Sequence, residues 1–198
     1  MTMNIDWAAL VIEYESRLSP RRLRQLSTEL GVTCDSLVSL HVGWSDAEEA
    51  WTFPEFNGQE TIIGIIRRYP DGTKRAMPRS QRGLYLPSNW RTMDGTIYVP
   101  EGASDVAALL SHGIRAIGRP SCTGGRKHLT DLLAETDCDI LVLGENDQKD
   151  CGHWPGRDGA RALATHLAHD LGGRVRWTLP PDGAKDIRDY LLRRSDGR

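Results

Sequence analysis

The sequence predicts an α/β protein: a parallel sheet with helices on both faces, preceded by a smaller α+β lobe. Three observations predict it. From Thr96 onward, short apolar runs alternate with helix-period segments, the pattern of a parallel sheet covered on both sides. Between Trp51 and Pro87 the chain turns β-branched and hairpin-like. Before that, apolar residues recur at helical spacing.

In the first third, Leu23, Leu26 and Leu30 follow the helical period. Ser19 and Pro20 are suited to the N-cap and first turn, and Gly31 to the stop. LRQLSTELGVTCDSLVSL then has the outline of a helix–turn–helix, an outline shared by many proteins that never touch DNA. TIIGIIRR predicts a strand, YPDGTK a turn with an Asp-Gly pair, and a second extended run follows. Pro87-Ser88-Asn89 marks a boundary, which divides the chain into a lobe over 1–90 and a domain over 91–198. In the second part, TIYVP, IRAIG, DILVLG and VRWTLP read as strands. ASDVAALLSHG, GRKHLTDLLAE, PGRDGARALATHLAHDLGG and DIRDYLLRR read as helices.

The 198 residues are 39% apolar and 26% charged, enough for a real core in a globular chain. No apolar run approaches the roughly 18 residues of a membrane span. The first ten residues carry Asp6 and no basic start, unlike a secretory signal. Cysteines 34, 122, 138 and 151 form no C-x-x-C pair and are too sparse for a disulfide framework, so a reducing cytoplasm is expected.

Charge is distributed unevenly. Of 25 basic residues, 21 are arginines, whose planar fork suits phosphate. Arg67, Arg68, Lys74, Arg75, Arg79, Arg82 and Arg91 fall between Thr61 and Arg91 against one acid, Asp71. Such a run is either a solvated face or a track for a phosphate polymer. Acids then gather at strand ends. TIYVP runs into Glu101-Gly102, DILVLG into Glu145-Asn146-Asp147, and VRWTLP is followed by Lys185-Asp186 and Asp189. Ligands of open parallel sheets bind beyond the carboxyl ends of strands, and clustered carboxylates there suit a hard divalent cation with phosphate. For any one of these acids, capping a helix is an equal explanation.

VPEGASDVAALLSHGIRAIGRP resembles the first motif of the TOPRIM domain, shared by bacterial-type primases, topoisomerases, OLD-family nucleases and RecR-like proteins. Glu101, Gly102, Asp105, Gly113 and Gly118 match its order. Glu145-Asn146-Asp147, followed later by PGRDGARALA, resembles the second motif, and PPDGAKDIRDYLL the primase tail. The resemblance spans roughly 94–192. Upstream, FPEFNGQETIIGIIRRYPDGTKRAMPRSQRGLYLP resembles more loosely the basic lobe before TOPRIM in primases and in phage or plasmid primase–helicases. Two departures stand out: Glu145 replaces the commoner Asp, and QKDCGHW is inserted after Asp147. Cys151 and His153 in that insertion raise the alternative of a transition-metal pair.

The resemblance implies Mg²⁺ or Mn²⁺ held by Glu101, Glu145, Asp147 and Asp186, with Glu101, Glu145 and Asp147 catalytic. It implies phosphate and nucleic-acid contacts from Arg67, Arg68, Lys74, Arg75, Arg79, Arg82 and Lys185. The expected activity is primer synthesis on single-stranded DNA in replication, from nucleotides, with a replicative helicase as partner and a mobile-element setting. A TOPRIM nuclease and a catalytically silent nucleic-acid-binding module are the alternatives. No P-loop, G-x-S-x-G or H-E-x-x-H occurs, and Gly124-Gly125 in GRPSCTGGRK suits a turn or a phosphate at a helix start.

Overall fold

The computed structural model describes residues 5–195. Three helices come first: α1 (Trp7–Arg17), α2 (Pro20–Leu30) and α3 (Cys34–Ser39). Ser19 accepts from the Arg22 N–H, Pro20 opens α2, and Gly31 closes it in the left-handed region at φ 65°. An antiparallel sheet follows in the order β1 (Gly43–Ser45), β2 (Ala50–Phe56), β3 (Ile62–Arg68), β4 (Lys74–Ala76). β1 and β2 are not evident from the sequence. β2 is buried along its whole length, so AWTFPEF lacks the alternation of a half-exposed strand, and Pro54 argues against one.

Next come β5 (Ile97–Val99), α4 (Ala103–Ser111), α5 (Arg126–Leu133), β6 (Ile140–Leu143), α6 (Pro155–Leu171), β7 (Val175–Thr178) and α7 (Ile187–Ser195). β5, β6 and β7 form a parallel sheet in that order. The expected strand at IRAIG is reduced to parallel bridges, Tyr98 with Ala116 and Glu101 with Arg119. It still lies beside β5, so α4 carries the chain to one side of β5 and α5 returns it to the other. A doubly wound sheet has its crevice at such a reversal, here between the exits of β5 and β6.

The two sheets are stitched together. Phe56 pairs with Leu84, and Tyr85 exchanges both backbone bonds with Gly118 at 2.9 Å. Gly118 permits this approach, since a Cβ there would sit 2.7 Å from Val106 and 3.0 Å from Tyr85. The boundary expected at position 90 falls in the stretch between β4 and β5, and both hydrophobic clusters contain residues from either side of it. One joins Leu30, Phe53 and Tyr85 to Val106 and Leu143; the other joins Leu84 and Trp90 to Val99 and Leu163. No described helix is long and apolar enough to cross a membrane.

Candidate active site

Glu101 leaves β5 with its backbone held on both sides. The Gly102 N–H donates to the Arg119 carbonyl at 2.9 Å, and the Arg119 N–H donates to the Pro100 carbonyl at 3.0 Å. The Arg119 side chain is wholly buried. It donates to the carbonyls of Ser121, Cys122 and Leu143, and its Nη2 lies 3.8 Å from Glu101 Oε2. One cation thus ties the β5 exit to the β6 exit. Its place at the end of IRAIG was legible as a strand end, though an arginine does not announce itself there.

Glu145 and Asp147 leave β6. Between them Asn146 turns away and clamps the loop after β7, its N–H donating to the Lys185 carbonyl at 2.8 Å and its Nδ2 to the Ala184 carbonyl at 2.6 Å. Asp147 Oδ1 accepts the Gly156 N–H at 2.9 Å in the first turn of α6, a charge suited to a helix start. Its Oδ2 lies 3.6 Å from Lys149 Nζ in the inserted loop. α6 starts so close that a Cβ on Gly156 would be 2.8 Å from the Glu145 Cβ. Asp186 is buried, caps α7 through the Asp189 N–H at 2.8 Å, and lies 3.9 Å from Lys185 Nζ.

Glu101, Asp105, Glu145 and Asp186 line one cleft of 370 Å³, with Lys74, Arg82, Lys185 and Arg188 among its walls. Asp147 is not among the residues lining the cleft, though its charge helps to raise Glu101 and Glu145. Burial, then the charges of Glu101 and Asp186, push Glu145 up to about 7. Burial also raises Glu101, against the pull of Arg119. Asp105, in the first turn of α4, is held well above the usual range by burial and then by Asp186 and Glu145. It belongs to this cluster as much as the acids expected there, although the sequence marked it only as part of a motif. Lys74 is lowered by the walls around it and by Arg68.

The basic strip is divided by strand alternation. Arg68 faces Lys74 in the β3–β4 register, and Arg67 faces Arg75. Arg67 pairs with Glu48 at 2.6 Å, Arg68 with Glu29, and Arg82 with Glu55 at 3.0 Å. Arg75 lies over the Tyr69 ring at 5.7 Å. Arg79 sits in the left-handed region at φ 70° between β4 and the cleft-lining Arg82. Lys74 and Arg82 are thus the strip's members that line the cleft, where Lys185 joins them from the loop after β7.

Among the described residues, no group of three or more His, Cys, Asp or Glu side chains is arranged to hold a metal ion. Cys151 is exposed, and His153 lies 3.6 Å from Asp158. The cleft nevertheless fits a hard cation chemically. Its donors are carboxylate oxygens, their charges crowd one another, and Glu101 Oε2 is buried without a hydrogen-bond partner.

This is the frame of a known enzyme core. The chain superposes on the Escherichia coli primase catalytic core with a TM-score of 0.68 at 20% identity, covering 94% of this chain and 74% of that one. The fold is that of a primase core. The DnaG primase catalytic domain solved bound to ssDNA matches with a TM-score of 0.69 at 20% identity over 94% of this chain and 73% of that one. The primase fragment of the bacteriophage T7 primase-helicase matches with 0.61 at 16% identity, over 86% and 69%. Neither a family model nor a curated protein matches the sequence.

Proposed function

We propose that the chain is a metal-dependent, primase-like nucleotidyltransferase that extends a primer on single-stranded DNA during replication. The observation that carries this reading is the convergence of Glu101, Glu145 and Asp186, with the Asp147 charge acting on the first two, at the switch-point crevice of a primase-core fold.

A divalent ion, Mg²⁺ or Mn²⁺, would be held by Glu101, Glu145, Asp147 and Asp186. When bound it would supply neutralisation of phosphate charge and electrostatic stabilisation in nucleotidyl transfer. Glu101, half-buried beside Arg119, either ligates or takes the proton of the attacking 3′-hydroxyl. Lys74, Arg82 and Lys185, which line the same cleft, offer donors to the triphosphate. Arg67 and Arg68 on β3, Arg75 on β4 and Arg79 after it would supply positive potential along the template backbone, without reading sequence. The T7 likeness, to part of a primase-helicase, supports a helicase as partner.

The test incubates the chain with labelled ribo- and deoxyribonucleotides, single-stranded DNA and Mg²⁺ or Mn²⁺. Template-dependent products support priming, and shortened DNA makes the chain a nuclease using water in place of the 3′-hydroxyl. If neither occurs but DNA is retained, the chain is a binding module. In every case retention should weaken with salt, the log–log slope falling by about 0.7 for each cation removed by Lys74→Ala or Lys185→Ala.

A further inference from the structure

Glu55 has no solvent exposure, yet it sits in β2 among apolar neighbours. A carboxylate buried there is destabilising unless it is paired and hydrogen-bonded. Arg82 Nε lies 3.0 Å from both of its oxygens, and the Tyr85 hydroxyl and the Gly83 N–H also donate to it. Burial and the Glu55 charge raise the Tyr85 phenol, so it remains a donor. Three of the four residues 82–85 thus converge on one carboxylate. Gly83 allows the turn to lie against β2, because a Cβ there would be 2.4 Å from the Phe56 carbonyl.

The far end of Arg82 is also held. Its Nη2 donates to the Pro120 carbonyl at 2.9 Å, across the junction between the two sheets. Its side chain remains 49% exposed and lines the carboxylate cleft, with Nη1 engaged in none of these bonds. A guanidinium pinned at Nε and Nη2 has little freedom left to swing. An apolar pair would join the strands at least as well as a buried ion pair. What an apolar pair cannot supply is an oriented cation at the cleft.

We propose that Glu55 is a positioning residue that presets Arg82 as a fixed clamp for the triphosphate of the incoming nucleotide. The identity of the ligand rests on the nucleotidyl-transfer reading above. A surface arginine surrenders its rotamer freedom when it grips phosphate, whereas Arg82 has surrendered it on folding, so binding need not.

Calorimetric binding of ATP and of inorganic tripolyphosphate, each with Mg²⁺, tests this on the full chain and on E55Q, R82Q and E55Q/R82Q, alongside thermal melting and primer synthesis. E55Q should weaken both anions roughly tenfold through lost preorganisation. The double variant should bind no more weakly than R82Q, since Glu55 acts only through Arg82. In synthesis the nucleotide KM should rise by more than kcat falls. Unchanged affinity with a lowered melting temperature makes Glu55 a structural staple and overturns the proposal. Additive losses in the double variant, or no binding by the unaltered chain, overturn it as well. If E55Q does not fold, E55D keeps the buried charge but retracts it by one methylene, and must itself bind more weakly. A chain that binds in this pattern yet makes no primers sinks the primase reading and leaves the clamp standing.

Discussion

Glu101 and Glu145 face the same crevice from neighbouring strand exits, and the charge of Glu101 is the largest influence after burial in pushing Glu145 up to about 7. The parallel pairing of β5 and β6 brings together two acids that are distant in the chain. Their mutual repulsion is what a positive charge bound between them would relieve.

That repulsion has a pH dependence. An unfolded Glu ionises near 4.5, while folded Glu145 ionises at about 7. Between these values the folded chain keeps a proton that the unfolded chain has lost, so stability falls as pH rises through this window and stays reduced above it. E145Q should therefore melt about 2–4 °C above the unaltered chain at pH 8 and level with it at pH 4.5. Mg²⁺ should raise the melting temperature of the unaltered chain at pH 8 and do much less for E145Q. Equal melting of the two proteins at both pH values would contradict the crowding described here.

Asp147 carries two roles that substitution can separate. Asparagine keeps an oxygen for the Gly156 N–H, now 2.9 Å from Asp147 Oδ1, but loses the charge. D147N should cut synthesis by roughly 10²-fold or more while sparing DNA retention and melting temperature. D147A also removes the helix cap and should cost about 1 kcal/mol more in urea unfolding. Equal loss of synthesis and DNA retention in D147N would show that the charge serves binding rather than chemistry.

Arg119 is the buried counterweight to the acids. Replacing it with methionine leaves Glu101 without its cation and strips donors from the carbonyls of Ser121, Cys122 and Leu143. R119M should lose about 3 kcal/mol in urea unfolding, chiefly because the carbonyls of Ser121, Cys122 and Leu143 lose a buried donor. R119K keeps the charge but not the fork, and should fall between R119M and the unaltered chain. A loss in R119M no larger than a surface substitution's would show that the pair does not support the β5 exit.

Much of this architecture was written in local sequence. Ser19-Pro20 and Gly31 bound α2, the alternation after Thr96 orders strands and helices, and the acids following TIYVP and DILVLG lie at strand exits. These features depend on a residue and its near neighbours, so periodicity and turn chemistry reveal them. β2 escaped because a fully buried strand has no polar alternation, and the strand at IRAIG thinned to isolated bridges beside β5, with Gly118 pairing outward to Tyr85.

The sequence by itself determined the order of elements and which kinds of side chain arrive at the strand ends. Only the tertiary structure decided which charges stand opposed and which are spent. Arg67, Arg68 and Arg82 read alike along the chain and each meets its own acid, Glu48, Glu29 or Glu55, yet of the three Arg82 alone lines the cleft, together with Lys74. Asp105 likewise became an acid of the site only when α7 brought Asp186 beside it. The reason is physical: a charge is set by what packs within a few ångströms in space, and those neighbours come from segments far away in sequence.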